Sequence, residues 1–150
     1  MRRRAGGEEG VALIIAVMSM MLMAALGSAL VLTTMTEAGV SSNYVSGIEA
    51  FYAADAAVEH TLADLPGTPD WDSVIGVRVD GPVEALMGVT PTSGIRVVVS
   101  VARAEVDRAI VVRAQAYGPR GVERTVEATV ARTDEAGPAR VRRLAWREVR

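Results

Sequence analysis

An uninterrupted apolar run near the start of the chain constrains its fold more than any other feature. Val11 to Leu32 holds 19 Ala, Val, Ile, Leu or Met residues out of 22, the exceptions being Ser19, Gly27 and Ser28. No charged residue lies between Glu9 and Glu37. As a helix this run rises about 33 Å, close to the thickness of a hydrocarbon core. A soluble helix of that length would carry a polar stripe, and here there is none. The run reads as the membrane-spanning part of a helix, over residues 11–36, with the lipid bilayer as its first partner. Arg2, Arg3 and Arg4 precede it, and no further Arg occurs until Arg78. That asymmetry predicts a single pass through the inner membrane, with the N-terminus in the cytoplasm and the remainder outside. A cleaved signal peptide is the competing reading, with Gly27-Ser28-Ala29 as its cut site. Such peptides carry an apolar core of about 7–15 residues, shorter than this one.

Beyond Glu37 the pattern becomes amphipathic. Val40, Tyr44, Ile48, Phe51, Val58, Leu62 and Leu65 recur mostly at three- and four-residue steps and predict the core-facing stripe of a helix. Ala50, Ala53, Ala54, Ala56 and Ala57 favour the helical state. Pro66-Gly67 supplies the stop. With no Pro before Pro66, one continuous helix from about Val11 to Leu65 is expected. Its first half is apolar all round, and its second half, 37–65, has one apolar face. Gly39, Ser41, Ser42 and Asn43 mark its weakest stretch.

Residues 66–150 read as β-rich. Val74–Val79 is a short candidate strand. Ile95–Ala102, Ala109–Tyr117 and Val122–Arg132 are stronger ones, rich in β-branched residues. Gly118-Pro119-Arg120-Gly121 supplies the turn of a hairpin with one buried face. Asp134–Pro138 reads as a linker, and Leu144–Arg150 as a final short strand. Three or four antiparallel strands packed on residues 37–65 give an α+β fold. The helix face then completes a core that about 65 residues alone would leave marginal.

In its N-terminal part the sequence resembles the PilX type of minor pilin, within the type IV pilus and pseudopilin superfamily. The resemblance rests on Gly10-Val11-Ala12-Leu13-Ile14-Ile15-Ala16-Val17, then Thr33-Thr34, Glu37, Asn43 and Ala50-Phe51-Tyr52-Ala53-Ala54-Asp55-Ala56-Ala57. It covers about residues 6–65. It implies a pilin-like fold, with a long N-terminal helix on a small antiparallel sheet. It also implies a leader, residues 1–10, that a prepilin peptidase removes after Gly10, with methylation of the new N-terminus at Val11. The implied partners are other pilins or pseudopilins, the peptidase and an inner-membrane assembly platform. The implied destination is a cell-surface or periplasmic fibre. Two positions depart from the pattern: Val11 stands where Phe is usual, and Ile15 stands where major pilins carry Glu. A carboxylate in lipid is costly without a partner, and its absence at Ile15 argues for a tip or initiating position rather than the repeating shaft. Ala24, Ala25, Gly27 and Ser28 are the small residues expected to admit neighbouring helices closely.

Charge is unevenly placed. Seven acids and no Arg lie between Glu37 and Asp72, whereas Arg140, Arg142, Arg143, Arg147 and Arg150 oppose only Glu148 in the tail. Exposed charges of this kind commonly do no more than solvate a surface. The sharper expectation is that Arg142, Arg143 and Arg147 of one subunit meet Glu49, Asp55 and Glu59 of another and set register between subunits. The net charge of -2 argues against a globally basic nucleic-acid binder, and five tail arginines are not a recognition motif.

No catalytic or cofactor constellation emerges. The chain has no Cys and a single His, which excludes disulfide scaffolds, zinc modules and thiol catalysis. His60 is expected on the helix surface. Asp70, Asp72 and Asp80 lack the spacing of a calcium loop. Trp71 and Trp146 are expected as core or interface anchors. Met18, Met20, Met21, Met23 and Met35 form an adaptable packing surface. The expected function is therefore structural: a subunit that initiates or caps a fibre. The alternative is a single-span, membrane-anchored envelope binding protein that keeps its first ten residues.

Overall fold

The computed structural model describes residues 8–68, 70–82, 85, 94–106, 108–133 and 140–149, and side chains from Gly10 onward. Most of the leader, the Asp134–Pro138 linker and Arg150 lie outside the described residues. The first element is a single α-helix, α1, Glu8–Asp64. A 3₁₀ turn, Leu65–Gly67, with Pro66 in its first positions, ends it. The Pro ring cannot extend the helical hydrogen-bond ladder, so the stop falls where the sequence places it. The chain forms two compact units, one ending at Ser42 and one starting at Asn43.

The first unit is helical throughout its described residues, and from Gly10 to Ser41 every side chain is exposed. The second unit has α+β architecture, the pilin-like arrangement of a long helix packed on an antiparallel sheet. Its five strands are β1 (Arg78–Pro82), β2 (Arg96–Arg103), β3 (Ala109–Tyr117), β4 (Glu123–Thr133) and β5 (Arg140–Val149). They follow one another in chain order across a single sheet, each antiparallel to the next.

One face of this sheet is a continuous layer of small and β-branched residues: Val97, Val99 and Val101 on β2, Ile110, Val112, Ala114 and Ala116 on β3, and Val126, Ala128 and Val130 on β4. Period-two alternation places them all on the side where residues 50–62 of α1 lie. Trp71 and Ile95 close the ends of the core.

Three expectations need correction. The helix face that packs on the sheet is Ala50, Ala53, Ala54, Ala57, Val58, Leu62 and Leu65. Val40 is 66% exposed, Tyr44 69% and Ile48 38%, so the anticipated stripe starts about three turns too early. Alanines bring the helix backbone close to a sheet of β-branched residues, whereas a stripe of Tyr and Ile would hold it off. Next, Val74–Val79 is not one strand. Trp71–Val74 forms a 3₁₀ turn, Gly76 takes φ +84°, and β1 begins only at Arg78. A positive φ costs Gly little and breaks an extended run. Finally, the sheet has five strands. β5 is longer than expected because the tail pairs along β4 from Thr133↔Arg140 to Thr125↔Val149.

β5 is an edge strand of an unusual kind. Most of its residues are exposed, and its register slips opposite Thr129/Val130, where Leu144 is the extra residue. Charged side chains and a bulge are the devices that blunt sheet edges against pairing with other chains.

Candidate assembly surfaces

The apolar half of α1 is the first surface. Its longest hydrophobic side chains are open, with Met20 72% and Met23 74% exposed. Its few hydroxyls are internally satisfied: Ser19 Oγ donates to the Ile15 carbonyl at 2.8 Å, Ser28 Oγ to Ala24 at 2.8 Å, and Thr33 and Thr34 to Ala29 and Leu30 at 3.0 Å. A polar group in hydrocarbon must find its partner within the segment, and these do. The helix is long and apolar enough to cross a membrane, so this segment acts as a membrane anchor. Gly10 and Val11 lie inside α1 and are exposed. Ala24, Ala25 and Ser28 are exposed too, and a Cβ built on Gly27 would meet nothing within 4 Å.

The second surface is where β5 meets α1. Arg143 forms an ion pair with Glu59. Trp146 Nε1 donates to Asp55 Oδ1 at 3.0 Å, and its ring stands edge-on to Phe51 with centroids 6.0 Å apart. Arg124 Nη1 donates to Glu148 Oε1 at 3.2 Å. The Arg124 guanidinium passes so near α1 that a Cβ on Gly47 would sit 3.2 Å from its Nη2. The charge complementarity between the acidic helix and the basic tail is thus present within one chain. Asp55, Glu59, Arg143 and Arg147 all have intrachain partners. Glu49 and Arg142 are exposed and have no ion-pair partner among the described residues.

The third surface is the sheet face turned away from α1. There Glu127 on β4 is only 4% exposed, held between Arg113 on β3 and Arg147 on β5. The register sets Arg113 opposite Glu127 and Glu127 opposite Arg147. Arg147 Nε and Nη2 donate to Glu127 Oε2 at 2.8 and 2.6 Å, and Arg113 binds the other oxygen. Burial by itself raises the carboxyl pKa of Glu127. Hydrogen bonds from Arg147 and Arg113, with their positive charges, outweigh that and hold it below the ordinary carboxylate value. This cluster makes β4 buried on both faces from Thr125 to Ala128, where the sequence suggests a hairpin with only one buried face. Sequence reasoning missed Glu127 and Arg113. The signal was available, since folding the chain about the Gly118–Gly121 turn sets 113 against 127.

The remaining candidate residues serve local structure. His60 Nδ1 lies 3.4 Å from Asp64 Oδ2 on the exposed helix surface. Asp70 Oδ1 accepts from the Asp72 N–H at 2.9 Å and caps the following 3₁₀ turn. Asp72 pairs with Arg103 at 2.8 Å, and Asp80 with Arg96 at 3.0 Å. Each carboxylate is engaged by its own chain. Among the described residues no group of three or more His, Asp or Glu is placed to hold a metal.

Residues 9–59, about a third of the chain, match the family model described as PilX N-terminal. This agrees with the resemblance to a PilX-type minor pilin, a structural subunit class that works with other pilins. No curated protein and no solved structure matches the chain significantly.

Proposed function

We propose that this chain is a minor pilin or minor pseudopilin, cut by a prepilin peptidase after Gly10, that initiates or caps a type IV pilus-like fibre. The observation that carries this reading is the coincidence of two features on α1. Residues 9–59 match the PilX N-terminal family, and the same helix is apolar all round and uncovered over its first half.

The mechanism is assembly rather than chemistry. Before use, the span sits in the inner membrane with its N-terminus in the cytoplasm and the β unit outside. During assembly, contacts with other pilin helices replace contacts with lipid. Lipid is as apolar as the helix, so this exchange is driven by close packing rather than by the hydrophobic effect. Ala24, Ala25, Gly27 and Ser28 permit that approach. Ile15 offers no carboxylate to a neighbour's N-terminal amine, which suits a subunit used at the start or tip of a fibre. Glu49 and Arg142, which have no ion-pair partner among the described residues, are then available for contacts between subunits.

The test is the intact mass and N-terminal sequence of membrane-extracted protein from cells with and without a prepilin peptidase. An N-terminus at methylated Val11 that depends on the enzyme is the expected result. A chain starting at Met1 in both cells would overturn the proposal and leave a membrane-anchored binding protein. A start near Leu30 would instead mean removal by a signal peptidase.

A further inference from the structure

The sheet face turned away from α1 carries a trough of about 630 Å³, and its construction follows from strand register. One cross-strand row, Ala102↔Val111↔Thr129↔Ala145, joins four strands with small side chains. The neighbouring row, Ser100↔Arg113↔Glu127↔Arg147, runs parallel to it. The small row forms the floor. The arginine row forms one wall, and the β2–β3 connection with Arg103, Glu105 and Val106 forms the other. Crossing four strands, the floor is about 14 Å long, enough for roughly two and a half turns of helix.

The charges select the occupant. Arg113 and Arg147 share one carboxylate, Glu127, and their side chains remain 50% and 71% exposed. Each guanidinium has N–H donors beyond those given to Glu127, and both arginines line the trough. This wall, with two Arg and one Glu, is therefore net positive and suits a second carboxylate, while the facing wall holds one charge of each sign, Arg103 and Glu105. The same chain supplies one. Glu49 is exposed on α1 in a stretch with seven acids and no Arg, and among the described residues it has no partner. Within one chain the two cannot meet, because α1 packs on the opposite face of the sheet. We propose that the trough receives the Glu49 region of α1 from a second copy of this chain, with Glu49 directed at Arg113 and Arg147. Such a contact joins two different surfaces, so it is heterologous and links copies head to tail. It joins them in the membrane plane, before assembly, or at the initiating end of a fibre. It requires no cleavage after Gly10, only two copies in one membrane.

The absence of Cys makes the test clean. Full-length chains bearing Val45→Cys, one helical turn before Glu49, and Thr129→Cys, on the trough floor, are co-expressed with different tags in cells lacking a prepilin peptidase. Membranes are treated with a short bis-maleimide. The expected result is a mixed dimer joining the two tags, with little product from either variant alone. Adding Glu49→Arg to the first chain, or Ala102→Trp to the second, should abolish the product, while protease resistance shows that the β unit stays folded. Absence of the mixed dimer between folded chains would overturn the proposal. So would a mixed dimer that survives Glu49→Arg, or a Thr129→Cys product with itself that dominates. Because the chains are uncleaved, none of these results bears on the processing of Gly10.

Discussion

The two halves of α1 share one backbone geometry and solve opposite problems. From Val11 to Leu32 the helix spends its apolar side chains outward, with none buried by the rest of the chain. Between Ala50 and Leu62 it buries mainly alanines, and exposes Tyr52 and Glu59. The lesson is that apolar content alone does not say which part of a helix forms the core. The more hydrophobic half faces outward, as suits a helix long and apolar enough to cross a membrane. The less hydrophobic half faces protein, because a sheet of Val and Ile already fills the space and leaves room for little more than methyl groups.

The same substitution in the two halves should break them in different ways, and this is the largest expected effect. Ala54→Asp places a carboxylate at a position that is 0% exposed, without a partner. A cost of about 3–5 kcal/mol, on a scale where whole domains are stable by about 5–15, should unfold the β unit. Ala24→Asp should leave that unit folded and instead weaken membrane insertion by about 3 kcal/mol. Protease resistance of the β unit and carbonate extraction of membranes, measured on both variants, separate the outcomes. Loss of the β unit in Ala24→Asp would erase the distinction between the halves.

A milder version removes methyl groups. Leu62→Ala should lower stability by about 2–4 kcal/mol through the cavity it leaves in the core, read as a lower urea midpoint with unchanged slope. Leu22→Ala, at a site 66% exposed, should leave that midpoint where it is.

The two faces of the sheet offer a comparable contrast, one held by dispersion and the other by charge. Glu127 has a folded-state pKa below its ordinary value. Its contribution is therefore present above the unfolded carboxylate pKa and is lost as pH falls through the folded one. Denaturation midpoints should stay level near neutrality and fall on acidification through about pH 4.5, where an unperturbed Glu is half protonated, and below. Glu127→Gln should start lower, by roughly 1 kcal/mol given the solvent exposure of both arginines, and should show a shallower acid limb. An unaltered acid limb would remove Glu127 from the account.

The smallest effect is at the seam between β5 and α1. Trp146→Phe keeps most of the ring contact with Phe51 and deletes the hydrogen bond to Asp55. The expected loss is about 0.5–1 kcal/mol, measured by the same denaturation. If this variant were as damaging as Leu62→Ala, β5 would be part of the core rather than a strand held by polar contacts.

Much of this was legible in the residues alone. The span, the Pro66-Gly67 stop, β2 to β4 within one residue at each end, and the Gly118–Gly121 turn all follow from local chemistry. Composition, period and turn residues act over a few positions, and one chain displays them in full. The apolar surface of Val11–Leu32 and the PilX-type motifs belong to that class.

What only the tertiary structure decided is which residues at long sequence separation share a surface. It turned the helix so that Ala50, Ala54 and Ala57 face the sheet instead of Tyr44 and Ile48. It extended the tail into a strand whose Arg143 meets Glu59, 84 residues away. It stacked Arg113, Glu127 and Arg147 into one row and set a row of small residues beside it. Each of these depends on register between strands or on the rotation of a helix against them. Those quantities are fixed by the packing of the whole core and by the pairing of charges across it, and no local window of sequence contains them.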